Sequence, residues 1–565
     1  MDKPELFNLL ITEYLTTAHP LAQGPQRPRQ SRWQFVSRET AEYIPGKLVP
    51  NHSGWRVTMP VRHHTRRAVT MLVSAAALSI GWAAGAIPAS AVAPAAFDPS
   101  SCVTTASTVV PGVQIADPAC EFDGSAYTGP FGPSTSAGGE QSQVWTGIAN
   151  DGAAYRIEVP PQWNGTVVMY AHGFRGTGNV VWVDEPQLRQ YFVDHGYAWA
   201  ASSYAVNGYD PGDGVVDTHD LLEAFPSVTG LHPKQAIMTG LSMGGEITTA
   251  EIEAYKGDFV GAMPYCGVLA GNDLFDYYLG ANVTAAALTG TTIAYPTTLA
   301  AGTAYAPAYQ TAVQSELPAL GITPNPATGG QTFTTDLTRT GTLWADTVEQ
   351  LSGGTRPGFQ SALDYWNSFG FAPLTKIPFL FGLYPGTSGG TLGFANGSVA
   401  GNEGTFYTFS DQPLRMLPQE IALNRAVLRV PVTATSSADA LSPAELPAIH
   451  GDPGIPVLSI HGIGDLFVPF SMDQRYDEMM VAHGEGRLFV DRAIREVTHC
   501  GYTTNELSAG FSALVSWITT GQRPAGDDIL DPRAVASPFF GCRFTDPTPG
   551  DHPEFKGLPC PPSSR

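Results

Sequence analysis

The sequence predicts an α/β protein: a mostly parallel β-sheet with helices on both faces, broken by one large insertion. Three observations carry this. Short apolar runs alternate with helical stretches from Gly165 to Gly271; the alternation stops; and it resumes at Ile455. Apolar runs without polar alternation mark strands buried on both faces, as parallel strands are. The intervening 272–453 is too long for a loop inside a compact domain and reads as a cap or lid domain.

Taken in order, "VWTGIANDGAAYRIEVP" from Val144 gives two strand-like runs around Asn150-Asp151-Gly152, a hairpin signal. "GTVVMYAHG" (165–173) is a strand, "EPQLRQYFVDHG" a helix, "YAWAASSY" (197–204) a strand and "GVVDTHDLLEAF" a helix. Then come "QAIMTGLS" as strand, "GGEITTAEIEAYKG" as helix and "FVGAMPYCG" (259–267) as strand. Past the insertion, "IPVLSIHG" (455–462) is a strand, "SMDQRYDEMMVAHG" a helix and "GRLFVDRAI" a strand, before a final loop and helix. The core therefore divides into 144–271 and 454–522. The insertion is rich in Thr, Ala, Gly and aromatics, which suggests an apolar roof over the sheet. The acidic stretch "YDPGDGVVD" (209–217) lacks the dense ligand spacing of a calcium loop and reads as a solvated turn.

The flanks carry processing signals. From Met59 the chain has a basic start, an apolar run from Ala68 and small residues at Ala89-Ser90-Ala91, so 59–91 reads as a secretory signal. Arg66-Arg67 opens a twin-arginine variant of that reading. Residues 1–58 read as an extension upstream of the true start, the alternative being a tail ahead of an uncleaved anchor. All six cysteines follow the signal, and an even count in an exported chain points to disulfides. Proximity pairs Cys102 with Cys120 and Cys542 with Cys560, which leaves Cys266 with Cys500. Segments 92–143 and 523–565 are then stapled flanks. Acidic residues outnumber basic ones 51 to 30, for a formal charge of −21, which argues against nucleic acid or an anionic membrane as partner. No membrane association is expected once the signal is cleaved, and the oligomeric state is left open.

Gly-x-Ser-x-Gly occurs twice in this chain of 61 glycines. At Gly240-Leu241-Ser242-Met243-Gly244 it joins a strand to a helix, where the chain must turn sharply and present the serine beside a helix N-terminus. At Gly386-Thr387-Ser388-Gly389-Gly390 it has no strand before it and no helix after it, so Ser388 reads as a flexible lid loop. A serine hydroxyl needs a histidine to take its proton and a carboxylate to orient that histidine, in the chain order Ser, acid, His. Asp465 follows the resumed strand in "SIHGIGDLFVP", and His499 lies in the loop "REVTHCGYT". Among the rivals, His461 reads as structural, His483 as solvated, Asp491 as a strand residue and Asp452 as a loop residue. Backbone amides of Met243, after the serine, and Phe174, after "YAHG", are the candidate oxyanion donors.

"WNGTVVMYAHGFRG", "GLSMGG", "IHGIGDLFVP" and "THCGYT", in this order and spacing, resemble the secreted bacterial α/β-hydrolase superfamily, its serine esterases and prolyl-oligopeptidase-like hydrolases. The resemblance implies an α/β-hydrolase fold and ester or amide hydrolysis through an acyl-enzyme on Ser242, without cofactor or metal; the aromatic composition of the insertion favours bulky or apolar esters, small or polymeric, as substrate. An amidase or peptidase of the same fold, or a silent hydrolase-fold binding protein, is the alternative. His499-Cys500 is further similar to tannase and feruloyl-esterase-type enzymes, in which cysteines beside the catalytic serine and histidine are bridged. Here Leu241, not cysteine, precedes the serine, and Cys266 is the partner that would fix the histidine loop.

Overall fold

The computed structural model describes residues 132–547, apart from 176–180, 206, 208, 294–298, 331, 369–376, 383–398, 411–414 and 433–446, together with the short strands Thr105–Ala106 and Gln114–Ile115 and positions 555 and 560. The upstream extension, the signal, most of 92–143, Cys102, Cys120 and Ser388 lie outside the described residues.

One sheet of eight strands organises the molecule: β1 (Gln143–Ile148), β2 (Ala154–Val159), β3 (Thr166–Ala171), β4 (Ala198–Ser202), β5 (Gln235–Leu241), β6 (Phe259–Tyr265), β7 (Val457–Gly462) and β8 (Phe489–Ile494). The order across it is β1-β2-β4-β3-β5-β6-β7-β8. β1 and β2 form an antiparallel hairpin, β2 runs antiparallel to β4, and every neighbouring pair from β4 to β8 is parallel. This is the strand order of the α/β-hydrolase fold. The winding reverses between β3 and β5, and the crevice beyond the carboxyl ends of strands at such a switch point is where ligands bind in open α/β sheets.

The apolar runs follow from burial on two faces. Along β3, Val167, Met169 and Ala171 enter one core, and Val168 and Tyr170 enter the other, because successive strand residues point to opposite faces. Helices α1 (Arg189–Asp194), α2 (Pro211–Thr229) and α3 (Met243–Ala254) cover the first half of the sheet. The insertion between β6 and β7 contributes α4 (Asp273–Thr289), α5 (Leu299–Leu320), α6 (Arg339–Leu351), α7 (Phe359–Asn367) and α8 (Pro418–Ala426), with a small hairpin of Ile322–Pro324 and Phe333–Thr335. α9 (Ser471–Ala482) and α10 (Thr504–Thr520) complete the core. Phe225 of α2 and Ile247 of α3 fill one face with Tyr476 of α9; Phe192 of α1 and Phe511 of α10 fill the other.

Two sequence expectations change. Tyr278, Tyr309, Trp344, Trp366, Phe379 and Phe381 of the insertion are all buried in a core of its own, shared with Leu466, Val468 and Val497, and do not line an open roof. Helices must bury their apolar faces to be stable, and these rings are what the insertion has to bury. The stretch 209–217 is not a solvated turn either. Asp210 caps α2 by accepting the amide of Asp213 at 3.2 Å, while Asp213 and Asp217 are buried and Asp217 accepts the amide of Ala205 at 2.8 Å. Burial pushes the Asp217 carboxyl well above the usual range.

Candidate active site

Ser242 stands between the last residue of β5 and the first of α3, with φ 56° and ψ −123°. A non-glycine residue at positive φ is strained by roughly 1–3 kcal/mol, and the surrounding structure must hold it there. The flanking glycines allow it. A Cβ on Gly240 would lie 2.1 Å from the Gly244 carbonyl oxygen, and one on Gly244 would lie 2.1 Å from that of Ala171 at the end of β3. No side chain fits either contact, so the pattern around the serine is a packing requirement. The Ser242 carbonyl accepts the amides of Gly245 at 2.9 Å and Val268 at 3.1 Å, fastening the turn from two sides.

The three sequence-predicted side chains meet here. The Ser242 hydroxyl lies 2.8 Å from His499 Nε2, and His499 Nδ1 lies 2.6 Å from Asp465 Oδ2. Donation from Ser242 Oγ–H to Nε2 and from Nδ1–H to the carboxylate satisfies both ring nitrogens in the neutral tautomer. Asp465 is fully buried, and its other oxygen accepts the amides of Phe467 at 2.9 Å and Val468 at 3.1 Å. The ring of Phe467 meets His499 edge-on, with centroids 4.9 Å apart. The histidine loop has its own anchor: Glu496, buried, accepts the amides of Val497 and Thr498, each at 2.7 Å.

The two amide positions flank the serine. Met243 opens α3 directly after it. Gly173, which precedes Phe174, runs so close that a Cβ there would stand 3.0 Å from the Ser242 Cβ.

Cys266 follows β6 and is bonded to Cys500, the neighbour of His499, with Cα atoms 5.3 Å apart. Both cysteines sit at positive φ, 44° and 58°. The same three residues, Cys266, His499 and Cys500, lie close enough to hold a metal, but sulfurs bonded to each other offer no thiolate to one. Cys542 is bonded to Cys560.

The rivals stand elsewhere. His461 is buried, pairs with Asp473 through Nδ1 and donates from Nε2 to the Val468 carbonyl at 2.9 Å. The Asp473 carboxylate holds the His461 ring above its ordinary pKa against the opposing effect of burial. Asp491 is buried beside Asp473, His483 caps the end of α9, and Asp452 pairs with Lys256 at 2.7 Å on the surface. Sequence reasoning passed over Tyr277, Tyr278, Arg356, Trp366 and Glu496, whose side chains hold the acid and histidine loops. Only Glu496 had a local signal, a carboxylate just ahead of a loop with amides to satisfy.

No protein-family model matches the chain. Over 90 residues, 16% of this chain, it is 32% identical to an o-phthalyl amidase of Xanthobacter agilis, and the match spans 20% of that relative's length. Among solved structures, an esterase from Aspergillus oryzae is 14% identical, covering 68% of this chain and 81% of that one at a TM-score of 0.39. Feruloyl esterase B from the same organism is 15% identical over 69% and 84% of the two chains at 0.37. Tannin acyl hydrolase from Aspergillus niger is 13% identical over 68% and 79% at 0.33. At such scores these likenesses add nothing to what the strand order says of the fold.

Proposed function

We propose that this chain is an exported serine hydrolase that cleaves carboxylic esters through an acyl-enzyme on Ser242. The observation that carries the reading is the unbroken hydrogen-bonded series from Ser242 Oγ through His499 to the buried carboxylate of Asp465. As Oγ attacks the ester carbonyl, His499 Nε2 takes its proton, and Asp465 stabilises the imidazolium and fixes its orientation. The negative oxygen of the tetrahedral intermediate is bound by the amides of Met243 and Phe174. The C–O bond to the alcohol then breaks, and the alcohol leaves with the proton from His499. Water attacks the acyl-enzyme with His499 as base, and the acid departs. These steps draw only on the named side chains, two amides and water.

Disulfides persist in oxidising compartments, so the Cys266–Cys500 and Cys542–Cys560 bonds support export. In this reading the insertion 272–453 is a cap over the sheet and delimits the substrate. Amide hydrolysis is the second reading, favoured by the 90-residue likeness to an amidase. The same triad serves both, and the difference is protonation of a poorer leaving group.

A fluorophosphonate probe tests the reading. Stoichiometric labelling that disappears in Ser242→Ala is expected. An unlabelled wild type leaves a hydrolase-fold binding protein. Turnover of matched nitrophenyl esters and anilides then identifies the bond cleaved.

A further inference from the structure

The loop carrying Asp465 has its carbonyls satisfied from outside the sheet. Its amides are used locally: Ile463 donates to Ile494 O and Gly464 to Glu496 O, both at 2.8 Å. Its carbonyls are taken by the insertion. Arg356, between α6 and α7, donates from Nε to Ile463 O at 2.6 Å. Tyr278 of α4 donates to Phe467 O at 2.8 Å, and Tyr277 to Leu466 O at 3.2 Å. Trp366 of α7, only 1% exposed, directs its indole N–H at two carbonyls at once: Val497 O at 2.8 Å, two residues before His499, and Gly464 O at 3.2 Å, one residue before Asp465.

Buried carbonyls left without donors are costly, so these four side chains fix where the loop can stand. Arg356 shows how firmly. Burial lowers its pKa to about 10, yet it keeps Ser352 Oγ and the Gly354 carbonyl as partners, each at 2.9 Å. Trp366 differs from the other three because it bridges both loops that supply the acid and the base. Its ring is wedged against Phe379 at 4.6 Å and Phe467 at 6.2 Å, which leaves the N–H a narrow range of directions.

Resting on the assignment of Ser242, His499 and Asp465, we propose that the insertion sets the geometry of proton transfer, with Trp366 as a positioning residue that ties the histidine loop to the acid loop. An error of about 1 Å in such a constellation costs up to about a hundredfold in rate, so one shared donor at the junction carries weight out of proportion to its own energy.

Two replacements of Trp366 test this. Trp366→Phe removes the N–H and shrinks the bicyclic ring to a single one, and site-specific 3-benzothienylalanine exchanges the N–H for sulfur at nearly unchanged shape, which keeps the test decisive if the first variant does not fold. The expected result is a downfield proton resonance from the His499 Nδ1–H in wild type and Ser242→Ala that broadens or moves upfield in the Trp366 variants. With it, kcat falls about tenfold at little-changed KM. The acidic limb of the kcat/KM profile moves to lower pH, because an imidazolium with a weaker carboxylate partner loses its proton more readily. Trp344→Phe removes packing and an indole N–H that donates to Ala281 O, away from both loops, and lowers Tm without moving resonance or limb. An unchanged resonance and limb in the benzothienylalanine variant, or no downfield resonance in wild type, overturns the proposal. The resonance is read without turnover, so failure of the nucleophile assignment shows separately, as absent labelling of wild type.

Discussion

Removing the bond between Cys266 and Cys500 separates two contributions it makes. The perturbation is the double substitution Cys266→Ala and Cys500→Ala. The bond closes a loop of 234 residues, and loop-closure entropy at that length amounts to about 5 kcal/mol. For a chain of this size such a loss lowers Tm by on the order of 5–10 °C. The second contribution is local. Cys500 adjoins His499, and its positive φ of 58° no longer has a bond to hold it, so the histidine loop relaxes. Fluorophosphonate labelling of Ser242 should then slow about tenfold under conditions where the variant is still folded. Differential scanning fluorimetry and single-turnover labelling, both run without reductant, measure the two effects. The variant is a cleaner probe than dithiothreitol, which would also open Cys542–Cys560 and reaches Cys266 slowly, since that residue is fully buried. A double variant that melts and labels like the wild type refutes the reasoning.

Two further outcomes follow from the packing and the buried carboxyls. Gly244→Ala places a Cβ 2.1 Å from the Ala171 carbonyl oxygen, inside van der Waals contact by more than about 1 Å. β3 must retreat and take Gly173 and Phe174 with it, so kcat/KM of the folded fraction should fall by about a hundredfold, and wild-type kinetics would contradict the described packing. Glu246, one turn along α3, is pushed up to about 8 by burial, against the opposing hydrogen bond from Tyr209, and its Oε1 has no partner among the described residues. Glu316 is likewise held at about 8, and Asp276 at about 7. Carboxyls raised in the fold keep protons that the unfolded chain releases, so their stabilisation is full below an ordinary carboxyl pKa and is lost as pH climbs through 7 and 8. Tm should therefore decline from about pH 5 to about pH 8. Glu246→Gln, which mimics the neutral carboxyl, should flatten that decline, and an unaltered slope in melting curves across pH argues against it.

The sheet was legible because its signal is local. Strands buried on both faces must be apolar at every position, and Val167 to Ala171 are. The turn at Ser242 was legible because steric exclusion at Gly240 and Gly244 is written into adjacent positions. Asp465 and His499 could be named because chain order restricts the choice to the ends of two strands. The support of those residues was not legible. Trp366 in "ALDYWNSF" differs in no local respect from Trp344, which donates its N–H to Ala281 O at 2.9 Å within the insertion's own core. Only three-dimensional proximity distinguishes a ring that fills space from one that directs a donor at Val497. The same limit applies to Asp213 and Asp217, whose charge suggests solvent while their placement on the inner side of α2 buries them.

The link between Cys266 and Cys500 also dictates how the protein has to be made. During synthesis the first of these thiols emerges long before the second, and under the proposed export Cys102 and Cys120 precede both into an oxidising compartment as alternative partners. Chains exported in that way will sample wrong linkages that only reshuffling can correct. Recombinant yield of active material should depend on an isomerase in the host compartment, and cytoplasmic expression under reducing conditions should give chains that lack this tether.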